Sequence, residues 1–240
     1  MLADIILGHR PIGYVEWNEH CQKVIAQRIH EGWLPEAPIY GDVRAFASEG
    51  FAGSYQGLVD LLCAGFPCQP FSVCGHQKGE DDERNMWPAT AECIRIIQPR
   101  LCLLENVPGL IANGYVSTVF GDLASMGYGF GWGCMGSAET GSCINGQRLW
   151  IVAAAANGAV LEGMDIPQYQ FTGSEESLRR QYSGAVGAML SQDDYTRIKR
   201  DNDAVAEGME RLKAIGNGQD AILAATAFST IANKLIESSK

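Results

Sequence analysis

Two short apolar runs, Leu58 to Cys63, broken only by Asp60, and Leu101 to Leu104, flank a stretch in which Ala91, Ile94 and Ile97 recur at helical spacing after Trp87-Pro88. Short apolar runs without polar alternation mark strands buried on both faces, and such strands belong to parallel sheets covered by helices. The alternation continues on either side. Ile12 to Val15 predicts a strand, and a helix follows from Asn18 with Cys21, Val24, Ile25 and Ile29 on one face. Tyr115 to Met126 predicts a helix and Leu149 to Ala153 another strand. Gln219 to Ile236 predicts a last helix whose stripe is Ile222, Ala225, Phe228, Ala232 and Leu235. This order predicts an α/β domain with helices on both faces of one sheet.

From about Asn157 to Arg211 the pattern lapses into Gly, Ser, Gln and mixed charge, which predicts a small irregular insertion. It holds the densest basic stretches, Arg179-Arg180 and Arg197 to Arg200. Glu175, Glu176, Asp193, Asp194 and Asp201 balance them, so an ordinary solvated face is the favoured reading.

Composition serves mainly to exclude. A chain of 240 residues, 46% hydrophobic, can bury a core without disulfides or metal. No run approaches the roughly 20 apolar residues of a membrane span, and Met1 to Arg10 is too short for a secretory signal, so a cytoplasmic location is expected. The net charge of -10 weighs against non-specific nucleic-acid binding, although a cleft lined by a few of the 18 basic residues could still hold a duplex. The eight cysteines form no C-x-x-C pair, and no His-x-x-x-His accompanies them. No metal site is expected; most read as small buried hydrophobes.

The chemistry-bearing residues follow the buried runs, where α/β sheets carry ligands and catalysts. Pro67-Cys68-Gln69-Pro70-Phe71-Ser72 presents a thiol between two rigid prolines. Glu105-Asn106-Val107-Pro108 presents a carboxylate at the end of the next strand, either as a functional group or as a buried acceptor. A cysteine hydrolase would want a histidine base, and only His76 lies near the thiol loop.

Pro67-Cys68-Gln69, Glu105-Asn106-Val107 and Gly216-Asn217-Gly218, in that order, resemble the C5-cytosine DNA methyltransferases, phage-type members included. The resemblance runs from about Gly8 to Ala154 and again from Met209 to the end. It implies a Rossmann-like class I methyltransferase sheet, and a restriction-modification or phage role. Cys68 would add as thiolate to C6 of a flipped cytosine in double-stranded DNA, Glu105 would hold N3 and the exocyclic amine, and Arg148 would face O2. Gln69, Ser72, Asn106 and Val107 would line the substrate side. S-adenosyl-L-methionine would be the methyl donor, with Glu16 on the ribose hydroxyls, Trp17 against adenine and Asp42 on the adenine amine. Val43, Pro67, Asn217 and Gly218 would complete that pocket. The family's first motif, a strand ending in Phe-x-Gly-x-Gly, has no match here, and Leu2 to Gly8 resembles the helix that follows it. Either an upstream segment or a partner chain supplies the strand, or the protein binds the cofactor poorly. Ile144 and Gly146 stand where the family has a glutamine and its first arginine. The division expected is 1–156 catalytic, 157–210 target recognition and 211–240 completing the catalytic domain. A catalytically impaired DNA- or cofactor-binding remnant and an RNA cytosine methyltransferase are the alternatives.

Overall fold

A computed structural model describes residues 2–67, 85–136, 147–155 and 221–238. In chain order these form α1 (Leu2–Ile6), β1 (Tyr14–Val15), α2 (Glu19–His30), β2 (Ile39–Tyr40), α3 (Val43–Ser48), a 3₁₀ turn (Phe51–Tyr55) and β3 (Leu61–Gly65). After them come α4 (Trp87–Ile97), β4 (Leu101–Asn106), α5 (Gly109–Ala112), α6 (Val116–Ser125), β5 (Tyr128–Gly136), β6 (Gln147–Ala155) and α7 (Ala221–Ser238).

Four strands make one mixed sheet in the order β3-β4-β6-β5. β3 and β4 run parallel, with Leu61 opposite Leu101 and Gly65 opposite Glu105. β6 lies antiparallel between β4 and β5, with Glu105 opposite Trp150 and Gly131 opposite Val152. β1 and β2 form a separate parallel pair, Tyr14 opposite Ile39 and Val15 opposite Tyr40.

Side-chain alternation along the strands divides the core in two. Leu101 and Leu103 of β4 and Trp150, Val152 and Ala154 of β6 face α7, where Leu223, Ala224, Ala227, Phe228 and Ile231 are buried with Leu7. Cys102, Leu104, Leu149, Ile151 and Ala153 face the other way, onto Trp87 and Ile94 of α4 and Val119 and Leu123 of α6. The Trp87 Nε1–H donates to Asp122 Oδ2 at 2.7 Å, which ties α4 to α6 across this second core. Helices thus cover both faces, as the sequence predicts.

Local chemistry explains the element ends. Asn18 caps α2, its Oδ1 accepting from Cys21 N at 3.0 Å, and Pro88 sits in the first turn of α4, where its missing N–H leaves nothing unpaired. The sequence places the start of the third strand at Leu58, but β3 begins at Leu61. Gly57 takes φ +74° in a turn, and Leu58 is exposed. β5 has no counterpart in the sequence reading. Gly129, Gly131 and Gly133 alternate through it, and at Gly131 an added Cβ would stand 2.9 Å from Ile231 Cγ2 and 3.2 Å from Leu235 Cγ. The glycine is what lets α7 lie against the strand.

Candidate active site

Pleat parity puts Glu105 and Arg148 on one face of the sheet. Glu105 has the parity of Leu101 and Leu103, and Arg148 that of Trp150, so both side chains leave on the α7 side. The register offsets them diagonally across β4 and β6, a separation that long side chains bridge. They do so here: Arg148 Nε lies 2.9 Å from Glu105 Oε1, with side-chain exposures of 32% and 14%. Arg148 Nη1 also donates to the Gln147 carbonyl at 3.2 Å. A mostly buried carboxylate and a cation therefore meet just past the carboxyl end of a parallel strand.

Asn106 has the opposite parity and turns into the α4 side. Its Nδ2 donates to the Phe66 carbonyl at 2.9 Å and its Oδ1 accepts from Val107 N at 2.8 Å, so both ends of the buried carboxamide bond to backbone. Phe66 is itself buried, its ring centroid 5.0 Å from that of Trp87. The chain leaving β3 is thereby clamped to the end of β4 immediately before Pro67, which is exposed. Val107 is also exposed. Cys68, Gln69, Ser72, Asn217 and Gly218 lie outside the described residues, as does the whole of the 157–210 segment.

A second cluster follows β1 and β2. The Glu16 amide donates to the Tyr40 carbonyl at 2.8 Å, which holds the two strand ends side by side, and Glu16 Oε1 accepts from Asn18 N at 2.8 Å. Trp17 is 70% exposed. Asp42 caps α3, its Oδ1 accepting from Arg44 N at 2.9 Å, and Val43 joins the core under α3 and α4. Arg44 was not singled out by sequence. Its Nε lies 3.1 and 3.2 Å from the two Asp42 oxygens, its Nη2 3.0 Å from Oδ2, and its Cζ 5.6 Å from the Trp17 ring centroid. A cation two residues after a capping aspartate was the available signal. The hydrogen bonds from Arg44 hold the Asp42 carboxyl below the usual range.

Among the described residues no cluster of His, Cys, Asp and Glu could hold a metal ion, and no helix is long and apolar enough to cross a membrane. Cys63, Cys93 and Cys102 are free thiols raised by burial, Cys93 to about 11, and the Asp4 carboxylate, 2.7 Å from Cys63 Sγ, raises Cys63 further. Cys134 differs from the buried expectation in being exposed on β5.

A mixed sheet with helices on both faces and polar groups past its parallel strand ends defines a Rossmann-like α/β protein. Solved structures share that fold. A variant of Spodoptera frugiperda DNMT2 superposes with a TM-score of 0.52 at 17% identity, over 70% of this chain and 49% of that one. An E. coli prophage-encoded protein described as a DNA modification methyltransferase gives 0.51 at 21% identity, over 64% and 42%. The C-5 cytosine-specific DNA methylase family matches residues 7–233, and the chain belongs to that family. Type II methyltransferase M.NgoMIV of Neisseria gonorrhoeae is 38% identical over 118 residues, 48% of this chain and 36% of the relative. M.HpaII of Haemophilus parainfluenzae is 41% identical over 110 residues, 43% and 27%. The matched stretch is about a third or less of these relatives' length.

Proposed function

We propose that this chain carries the catalytic half of a DNA cytosine-5 methyltransferase. The observation that carries the reading is the Glu105–Arg148 pair at 2.9 Å, shielded at the end of β4. An acceptor and a donor fork held side by side match the polar edge of a cytosine, whose N3 and amine would meet Glu105 and whose O2 would meet Arg148. On this reading the pyrimidine separates the pair on entry, and each group exchanges its partner for the base. Cys68 supplies the nucleophile: its sulfur bonds to C6 while Glu105 supports the added proton at N3. C5, made nucleophilic by that addition, takes up the methyl group, and loss of the C5 proton to a base then restores the C5–C6 double bond and expels the thiolate. Reaching C6 in this way requires the base to leave the duplex. Asn106 is a positioning residue here, tethering the loop that begins at Phe66. The 157–210 segment serves target recognition, and 211–240 completes the catalytic domain.

The residues after β1 and β2 fit S-adenosyl-L-methionine chemically. Glu16 offers a carboxylate to ribose hydroxyls, Trp17 an exposed flat face to a purine, and Asp42 an acceptor to its amine. When bound, the cofactor supplies an electrophilic methyl group on its sulfonium. Val43, Pro67, Asn217 and Gly218 belong to the same pocket on this reading.

The expected additional strand also has support. Among the described strands β3 pairs only with β4 and β1 only with β2, and the Asp4 carboxylate of α1 bears on both Cys63 of β3 and Tyr14 of β1. On this reading a parallel strand from a further segment or a partner chain would pair with β3.

Transfer of tritium from labelled cofactor to cytosine-containing duplex tests the proposal. Wild type should label DNA, while Cys68→Ser should fall to background and Arg148→Ala by about 100-fold or more. Label equal in wild type and Cys68→Ser would overturn it, and label entering structured RNA instead of duplex DNA would reassign the substrate.

A further inference from the structure

The Asp42–Arg44–Trp17 cluster carries an inference that rests on the reading of Glu16, Trp17 and Asp42 as the cofactor's nucleoside site. Two groups there are meant for a purine: an exposed indole to stack against and a carboxylate to accept from an amine. Both already have an occupant. Four N–H contacts converge on Asp42, from the Arg44 amide, from Nε to each oxygen and from Nη2 to Oδ2, so each oxygen receives two. The single Nε–H is shared between the two oxygens, so three N–H donors occupy most of the roughly four acceptor sites of the carboxylate. The same guanidinium places Cζ 5.6 Å from the Trp17 centroid, within the roughly 6 Å of a cation–π contact. It is planar, presents N–H donors in its own plane and stacks on an aromatic face, which are the features by which an adenine would be held.

We propose that the Arg44 guanidinium is a resident stand-in for the purine. It keeps Trp17 and Asp42 in place in the cofactor-free protein and must release both when the nucleoside binds. Its side chain is half exposed and carried on the first turn of α3, so it can swing into solvent without disturbing the core. The Asp42 cap on the Arg44 amide involves backbone and survives that movement. Arg44 thereby lowers the cofactor affinity that the other residues would provide.

Calorimetric titration with S-adenosylhomocysteine tests this on wild type, Arg44→Ala and Glu16→Gln, with thermal melts to verify folding. Arg44→Ala should bind about 3- to 30-fold tighter, the combined worth of an exposed ion pair and a cation–π contact. The ratio of the two dissociation constants should shrink as salt is raised from about 0.05 to 0.5 M, because the displaced contact is ionic. Glu16→Gln should bind more weakly, since it alters the site but not the stand-in. Unchanged or weaker binding by Arg44→Ala, with Glu16→Gln impaired, would overturn the stand-in and leave the site standing. No effect of Glu16→Gln, or no saturable heat from any variant, would overturn the site and the stand-in together.

Discussion

Replacing Gly131 by alanine adds one methyl group where α7 leaves no room for it. The new Cβ would stand 2.9 Å from Ile231 Cγ2 and 3.2 Å from Leu235 Cγ, against the roughly 3.5–4.0 Å of a relaxed carbon pair. Ile231 is β-branched, buried and fixed on a helix packed against the sheet, so the helix rather than one side chain must give way. Overpacking of this kind costs about 1–3 kcal/mol. The φ of Gly131 is not in the left-handed region, so alanine also gains about 0.4–1 kcal/mol from a less free unfolded chain. The net expectation is a loss of about 1–2 kcal/mol, or roughly 2–8 °C in melting temperature for a chain of this size. Gly133→Ala is the control, since its Cβ would meet nothing within 4 Å. Melting curves should separate the two variants. Ile231→Ala, which removes the obstructing methyl, should make the double variant less destabilised than the sum of the singles by about 1 kcal/mol. A Gly131→Ala variant that melts like Gly133→Ala, or a double variant that is simply additive, would refute the close approach of α7 to β5.

Asn106→Ala should lose about 1–3 kcal/mol in denaturant titration, because the buried Phe66 carbonyl and Val107 amide both lose their partner; a loss under about 0.5 kcal/mol would show that the clamp is immaterial. Under native conditions at pH 8, peptide mapping after iodoacetamide should find Cys134 labelled while Cys63, Cys93 and Cys102 wait for unfolding. With Cys93 raised to about 11, only about a thousandth of it is thiolate at that pH. Arg44 lowers the Asp42 pKa, so the pairing stabilises the fold above the ordinary aspartate value of about 3.9 and fades as pH falls through the lowered one. Asp42→Asn should therefore melt slightly below wild type at pH 6, by the few tenths of a kcal/mol of an exposed pair, and level with it near pH 2. A gap that persists at pH 2 would remove the ionic explanation.

Elements that stand on their own hydrophobic pattern were legible in the sequence. β4 opens on the unbroken apolar run Leu101 to Leu104, and α4 and α6 keep helical spacing between clear ends. α7 was legible too, although its buried face is wider than the predicted stripe, since Leu223, Ala224, Ala227 and Ile231 join it between α1 and the sheet. β5 was not legible, because alternating glycines resemble a loop until a helix is known to rest on them. The family motifs pointed to Glu105 and Arg148 separately. That they meet depends on the antiparallel register of β4 with β6, a pairing between residues more than forty positions apart that no local pattern encodes. Arg44 escaped notice for a similar reason, since its stacking on Trp17 exists only once β1 and β2 lie side by side.

The pleat of β4 assigns neighbouring residues to opposite jobs. Glu105 meets Arg148 on the α7 side and Asn106, one peptide further, anchors the opposite layer. Sliding this strand by a single position would aim the carboxamide where the acid stands and bury the acid against Phe66, so the ion pair with Arg148 and the tether would be lost together. Insertions or deletions within Leu101–Asn106 should consequently be far less tolerable than conservative apolar swaps there.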